Sequence, residues 1–246
     1  MISTSELKQR VIDAVDTFQA DLIDIASEIH ANPELGFKET AAAKLLTDTL
    51  AQHGLDVERG TAGLDTAFVA TQRGRAAGPA IAFLAEYDAL PGLGHACGHN
   101  LIAAAAVGAG LAMRAVLPEL AGEIRVIGTP AEEGGGGKVI MVDAGVFDDV
   151  DAAMMVHPSS RDLIGRKSLT VFHVDIEFFG KAAHASSWPD EGINALDAVI
   201  LTFNGINALR QHMRDDARIH GIITHGGDAP NIIPDHTSAS VLVRAS

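Results

Sequence analysis

The chain carries a single cysteine, Cys97. It stands two positions before a histidine in Gly94-His95-Ala96-Cys97-Gly98-His99-Asn100, shortly after an apolar run that ends in Glu86 and Asp88. Thiolate, imidazole and carboxylate together suit zinc or a similar divalent ion, and a mixed donor set is of the catalytic type. Burying such groups is costly unless they bind something or react. Two later stretches repeat the arrangement: Ile124-Arg125-Val126-Ile127-Gly128 leads into Thr129-Pro130-Ala131-Glu132-Glu133, and Ala152-Ala153-Met154-Met155-Val156 leads into His157-Pro158. Adjacent carboxylates allow a division of labour, in which one binds metal and its neighbour acts as general base on a metal-activated water.

Each group alone has a plainer explanation. A lone cysteine is most often a small buried hydrophobe, His99 could cap a helix, and Glu132 and Glu133 could be solvated carboxylates favoured by a helix dipole. Gly134 to Gly137 could be no more than a turn. None of this explains why all of them fall at strand ends. A nucleophilic Cys97 with His99 as its base is a rival that ranks below metal, because it needs a third orienting group and an oxyanion hole that the short spacing does not supply.

The elements that must position these groups follow from periodicity. Residues 6–30 carry Leu7, Val11, Phe18, Leu22, Ile25 and Ile29 at three- and four-residue steps, which predicts one amphipathic helix with Ser5 as cap, stopped at Asn32-Pro33. A second helix is expected over 39–53, ending at Gly54. Pro79-Ala80-Ile81-Ala82-Phe83-Leu84-Ala85 lacks alternation, as in a strand buried on both faces of a parallel sheet. A small-residue helix over 100–117, the strand at 124–128, a short helix over 138–144 and the strand at 152–156 complete an alternating pattern. In open α/β sheets, sites form beyond the carboxyl ends of the strands, so the three groups can converge. After Arg161 the pattern becomes strand, helix, strand, strand, which predicts a separate α+β unit. The fold expected is α/β: a mostly parallel sheet with helices on both faces over 1–166, and a smaller α+β domain over 167–246.

Composition narrows the partners. A net charge of −14 argues against nucleic acid and anionic membranes, which require clustered Lys and Arg. No apolar run is long and uncharged enough to span a bilayer, and no basic-then-apolar leader opens the chain. A single cysteine excludes an internal disulfide and agrees with a reducing compartment, so the expectation is a cytoplasmic protein.

Glu86-Tyr87-Asp88-Ala89-Leu90-Pro91-Gly92-Leu93-Gly94-His95-Ala96-Cys97-Gly98-His99-Asn100 resembles the signature of the amidohydrolase branch of the aminoacylase and glutamate-carboxypeptidase metallopeptidases. It is nearest to the group of Xaa-Arg dipeptidase-like proteins and aminobenzoyl-glutamate hydrolase subunits. Thr129-Pro130-Ala131-Glu132-Glu133-Gly134, Gly180-Lys181-Ala182-Ala183-His184-Ala185-Ser186 and Gly226-Gly227-Asp228-Ala229-Pro230-Asn231-Ile232-Ile233-Pro234 resemble further motifs of that family in the same order. The resemblance implies two divalent metals, zinc first and manganese or cobalt as alternatives. Their ligands would be Cys97, His99, Glu133 and His157, with Glu132 as base and Asp88 orienting a ligand from behind.

The resemblance also implies that the second domain is a lid and dimerisation domain. His184 would then stabilise an oxyanion in a partner subunit's site, and Asn231 and Arg244 would hold a small N-acyl amino acid or dipeptide. Without the resemblance, His184 would read as a strand-edge histidine. His173, His212, His220, His225 and His236 match no motif. The family's chain continues beyond the last lid strand to a final histidine ligand, so a chain stopping at Arg244-Ala245-Ser246 is expected to leave both domains incomplete. A non-catalytic metal-binding or dimerisation fragment is the alternative reading.

Overall fold

Apolar periodicity in the first thirty residues produces two helices where one is expected. In the computed structural model, which describes residues 2–165 and 169–246, α1 spans Thr4–Thr17 and α2 spans Gln19–Ala31. Phe18 interrupts the ladder with φ −98° and ψ 1°, and its ring meets His53 edge-on at 5.2 Å. A one-residue break barely shifts the apolar stripe, so the spacing alone does not register it. The cap is Ser3, whose Oγ accepts from the Glu6 N–H at 3.2 Å, not Ser5. Helix α3, Thr40–Gln52, ends as expected before Gly54, which takes φ +81°.

Two compact units follow from the packing, Met1–Arg161 and Asp162–Ser246. The boundary expected between 166 and 167 falls among residues 166–168, outside the described residues. In the first unit, β1 (Asp56–Arg59), β2 (Phe68–Arg73), β3 (Ala76–Ala85), β4 (Ala121–Gly128) and β5 (Ala152–Met154) form a sheet in the order β1-β2-β4-β3-β5. Strand β3 runs parallel to β4 and β5, whereas β2 is antiparallel to β1 and to β4. The sheet is therefore mixed. The reversal has a simple cause: only Gly74 and Arg75 join β2 to β3, and a parallel connection needs a dozen or more residues.

Between β3 and β4 lies α4, His99–Met113, and between β4 and β5 lies α5, Gly137–Asp143. The first crossover moves one way across the sheet and the second returns, so crossovers of a single hand place α4 and α5 on opposite faces. One face packs Phe68, Ala70, Ala85 and Val126 under α2, α3 and α4; the other packs Ala67, Ala82 and Ile127 with Met141 of α5. Glycines let α4 lie close, since a Cβ on Gly110 would come within 2.4 Å of Val126 Cγ2 and one on Gly108 within 2.8 Å of Leu22 Cδ1. Each fully buried Leu, Ile or Val of this core contributes about 1.5–3 kcal/mol. Strand β5 is shorter than the expected 152–156: it is an exposed edge of three residues that, among the described residues, pairs with β3 alone. Parallel pairing nevertheless brings the ends of β3, β4 and β5 to one side of the sheet.

The second unit is built on an antiparallel sheet of β6 (Thr170–Phe179), β8 (Arg218–His225) and β10 (His236–Ala245) in the order β6-β10-β8. A short ribbon pairs β7 (Ala183–His184) with β9 (Ile232–Ile233). Helix α6, Ala195–Leu209, is capped by Asn194 and covers one face, where Val199, Thr237, Ala239 and Val241 are buried. The strands expose Phe172 (67%), Phe179 (75%) and Ile222 (66%).

Candidate metal centre

Gly98 joins two of the three strand ends. Its φ of +79° suits a residue without a Cβ, and a Cβ there would lie 2.8 Å from Pro158 Cγ. The turn bearing Cys97 and His99, after β3, thus rests against the segment bearing His157, after β5.

His99 opens α4 and is buried. Its Nδ1 lies 2.9 Å from the Asp88 carbonyl oxygen and 3.0 Å from Asp88 Oδ1. A carbonyl can only accept, so Nδ1 carries a proton, and in the neutral form of the ring the lone pair lies at Nε2. Asp88 Oδ2 in turn accepts the Glu133 N–H at 2.9 Å, so one carboxylate orients both a histidine and the Glu132-Glu133 turn. His157 is set the same way, its Nδ1 donating to the Pro158 carbonyl at 2.8 Å.

These groups converge. One donor atom each from Cys97, His99 and Glu133 lie within 4.8 Å of one another, and so do donor atoms of Glu86, His99 and His157. Glu133 Oε1 is 3.7 Å from His99 Nε2 and Glu132 Oε2 is 4.0 Å from it, with side chains 22% and 44% exposed. His99 Nε2 and Glu86 Oε2 are buried 3.3 Å apart, with no hydrogen-bond partner among the described residues. Orphaned buried donor atoms facing a common point fit a cation.

The electrostatics agree. A hydrogen bond from the Cys97 thiol to Glu133, then burial, then the charges of Glu133, Glu132 and Asp88, push the thiol up to about 11. Burial raises the Glu132 carboxyl above its ordinary value, with Glu86 and Glu133 adding to it. Burial opposes the charged form of both His99 and Asp88. Even so, Asp88, Glu86 and Glu133 raise the His99 value, and His99 with the Glu133 N–H lowers that of Asp88. A divalent ion would relieve this accumulation of acid groups and stabilise the thiolate.

Sequence reasoning gave Glu86 no role and missed Lys138, whose Nζ contacts Glu86 Oε1. The glycine tetrad before α5 was the only hint that a first-turn lysine could fold back to the strand ends.

In the second unit, His184 Nδ1 accepts from the N–H groups of Ser186 (3.3 Å) and Ser187 (3.2 Å), which leaves the proton on Nε2. Asn231 is its neighbour across the ribbon, where the Ala185 N–H donates to the Asn231 carbonyl at 3.0 Å. Arg244 is not brought to that pair within this unit: it sits at the opposite end of β10 from His236, roughly 26 Å along the strand. There it pairs across strands with Arg218, a second cation that sequence reasoning passed over.

The model for peptidase family M20/M25/M40 matches residues 82–218. Xaa-Arg dipeptidase of Mus musculus is 41% identical over 97% of this chain and 58% of its own length. One subunit of the p-aminobenzoyl-glutamate hydrolase of Escherichia coli is 37% identical, over 98% of this chain and 54% of the relative. A Bacillus subtilis structure described as a dinuclear metal-binding peptidase of the M20 family superposes with a TM-score of 0.69 at 26% identity, over 94% of this chain and 65% of that one. The chain thus spans somewhat more than half the length of these curated relatives.

Proposed function

The chain belongs to peptidase family M20/M25/M40, and from that premise we propose that it is a metal-dependent amidohydrolase cleaving the amide bond of a dipeptide or an N-acyl amino acid. The observation that carries this reading is His99: it is fixed by Asp88 at Nδ1 and presents a buried Nε2, without a hydrogen-bond partner among the described residues, beside Cys97 and Glu133. Cys97, His99, Glu133 and His157 would hold two divalent ions, zinc in first place, with manganese or cobalt as alternatives. Such ions supply Lewis acidity, which lowers the pKa of water and polarises a carbonyl.

Within that site Glu132, the more exposed of the two adjacent carboxylates, takes the proton of the attacking water and returns it to the leaving amine. Asp88 keeps the His99 ring and the Glu133 backbone in register. In the second unit, which we read as a lid and dimerisation domain, His184 offers its Nε2–H to the developing oxyanion of the partner's site. Asn231 lies beside it to contact that same substrate, whereas Arg244, with Arg218 next to it at the far end of β10, would grip the carboxylate of a different substrate molecule. The apolar side chains exposed on its strands support a homodimer, and the single cysteine supports a reducing, cytoplasmic setting.

The test is elemental analysis alongside hydrolysis of Xaa-Arg dipeptides, aminobenzoyl-glutamate and N-acyl amino acids, with and without a chelator. Turnover is expected to vanish on chelation and return with metal. Glu132→Ala is expected to lower kcat by about 10²–10⁴-fold with metal content unchanged. Full turnover in that variant would remove Glu132 as base. Bound metal without turnover on any substrate would favour the non-catalytic module, and chelator-resistant activity would favour a Cys97 nucleophile.

A further inference from the structure

Glu39, the residue before α3, is fully buried, yet it belongs to no group of metal-ligating atoms described above. Its Oε1 accepts the Ala131 N–H at 2.8 Å and its Oε2 accepts the Thr66 hydroxyl at 3.1 Å, reaching across 92 and 27 positions of sequence. The Thr66 carbonyl accepts the hydroxyl of Tyr87 at 2.5 Å, and Tyr87 is the fully buried residue between Glu86 and Asp88.

Ala131 is the unusual member of this chain of contacts. It is a buried alanine at φ +55°, a left-handed conformation that few non-glycine residues adopt. Its methyl group is hemmed in, since a Cβ on Gly36 would lie 2.9 Å from it and one on Gly135 2.6 Å. The next two residues are Glu132 and Glu133.

We propose that Glu39 is a positioning residue, whose carboxylate holds Ala131 in the left-handed conformation and thereby aims the Glu132 and Glu133 side chains. Two buried carboxylates then grip the turn by alternate amides, Glu39 at Ala131 and Asp88 at Glu133. A charged acceptor makes the stronger bond to an N–H, and a strained backbone persists only where its surroundings over-determine it. Removing the carboxylate frees Ala131 to return to negative φ, which re-aims both glutamates together. The consequence for metal and catalysis rests on the function proposed above; the clamp itself does not.

Amide hydrogen exchange at Ala131 tests the clamp directly, and cobalt binding with its visible absorption spectrum tests what the clamp does. The Ala131 amide is expected to be protected in the wild type and in Glu39→Gln, whose side-chain oxygen can still accept. Glu39→Ala is expected to weaken cobalt binding about tenfold and to change the absorption band, an effect of the size seen when a ligand's supporting contact is lost. Glu39→Gln should stay within about threefold of wild type, since its amide oxygen can accept the Ala131 N–H while its NH2 donates to the Thr66 hydroxyl, which unlike an N–H can also accept. Adding Ala131→Gly to Glu39→Ala should recover part of the loss, because glycine adopts positive φ without strain. A role confined to packing predicts no such rescue.

A folded Glu39→Ala protein with wild-type cobalt affinity and spectrum overturns the proposal. If that variant does not fold, exchange in Glu39→Gln decides: an Ala131 amide as labile as an open-loop amide overturns it, and protection supports it. If the wild type binds no cobalt, the proposed function fails, and Ala131 exchange still judges the clamp.

Discussion

Three histidines, His99 and His157 in the first unit and His184 in the second, are poised in opposite ways by what touches Nδ1. In the first unit the Asp88 and Pro158 carbonyls take the Nδ1 protons of His99 and His157, so both rings turn a lone pair outward. In the second, two backbone N–H groups occupy Nδ1 of His184, and its ring turns a proton outward. A lone pair serves a cation and a proton serves an oxyanion. Ring identity alone says nothing about which; the partner of the far nitrogen decides.

The largest expected effect comes from removing a lone pair. His99→Ala should abolish stoichiometric metal binding by elemental analysis and lower turnover by about three orders of magnitude or more, since ligand and neighbouring base act as a unit. Retention of tight metal would break the comparison at its first term. Removing the proton is next: His184→Ala should cost about 10²–10³ in kcat while metal content is unchanged, and metal loss in this variant would show that the two histidines share one task. Asp88→Asn is intermediate. An amide has one acceptor oxygen for the two donors that Asp88 serves, so metal affinity by titration should fall about 10–100-fold. A Kd equal to wild type would mean that the Nδ1 partner does not govern the ring. The smallest effect is expected for Ser186→Ala, which removes a hydroxyl 3.2 Å from His184 Nδ1 but leaves both backbone donors. Its kcat should change by no more than about twofold, and a large loss would assign the tautomer to the hydroxyl instead.

Much of the first unit was legible because its signals are local. Apolar runs without alternation mark β3 and β4, and the polar residues that follow them lie where the strands end. Features that depend on distant partners were not legible. That β4 lies between β2 and β3 is a matter of topology that alternation does not encode. The break at Phe18 leaves the apolar stripe intact. The sequence offered Asp88 as an orienter but not that it bonds two elements at once, and Glu39 carried no signal, because its partner amide lies 92 positions away. Lys138 was hidden in a first helical turn that ordinarily faces solvent. In the second unit, strand and helix positions were readable, whereas the end of the sheet that each motif residue occupies was not: Arg244 and Asn231 belong to neighbouring motifs in sequence but to opposite ends of β10 in space.

The contact between Gly98 and Pro158 has a kinetic side. It closes only when β5, three residues long and bonded on one edge, has docked against β3. Contacts that span so much sequence form late, after their loop-closure cost has been met, and a short edge strand opens readily. The centre therefore assembles at the tempo of the least secured strand in the sheet. His99 and His157 lie on the two sides of that seam, and an ion held by both would stabilise the closed form against opening.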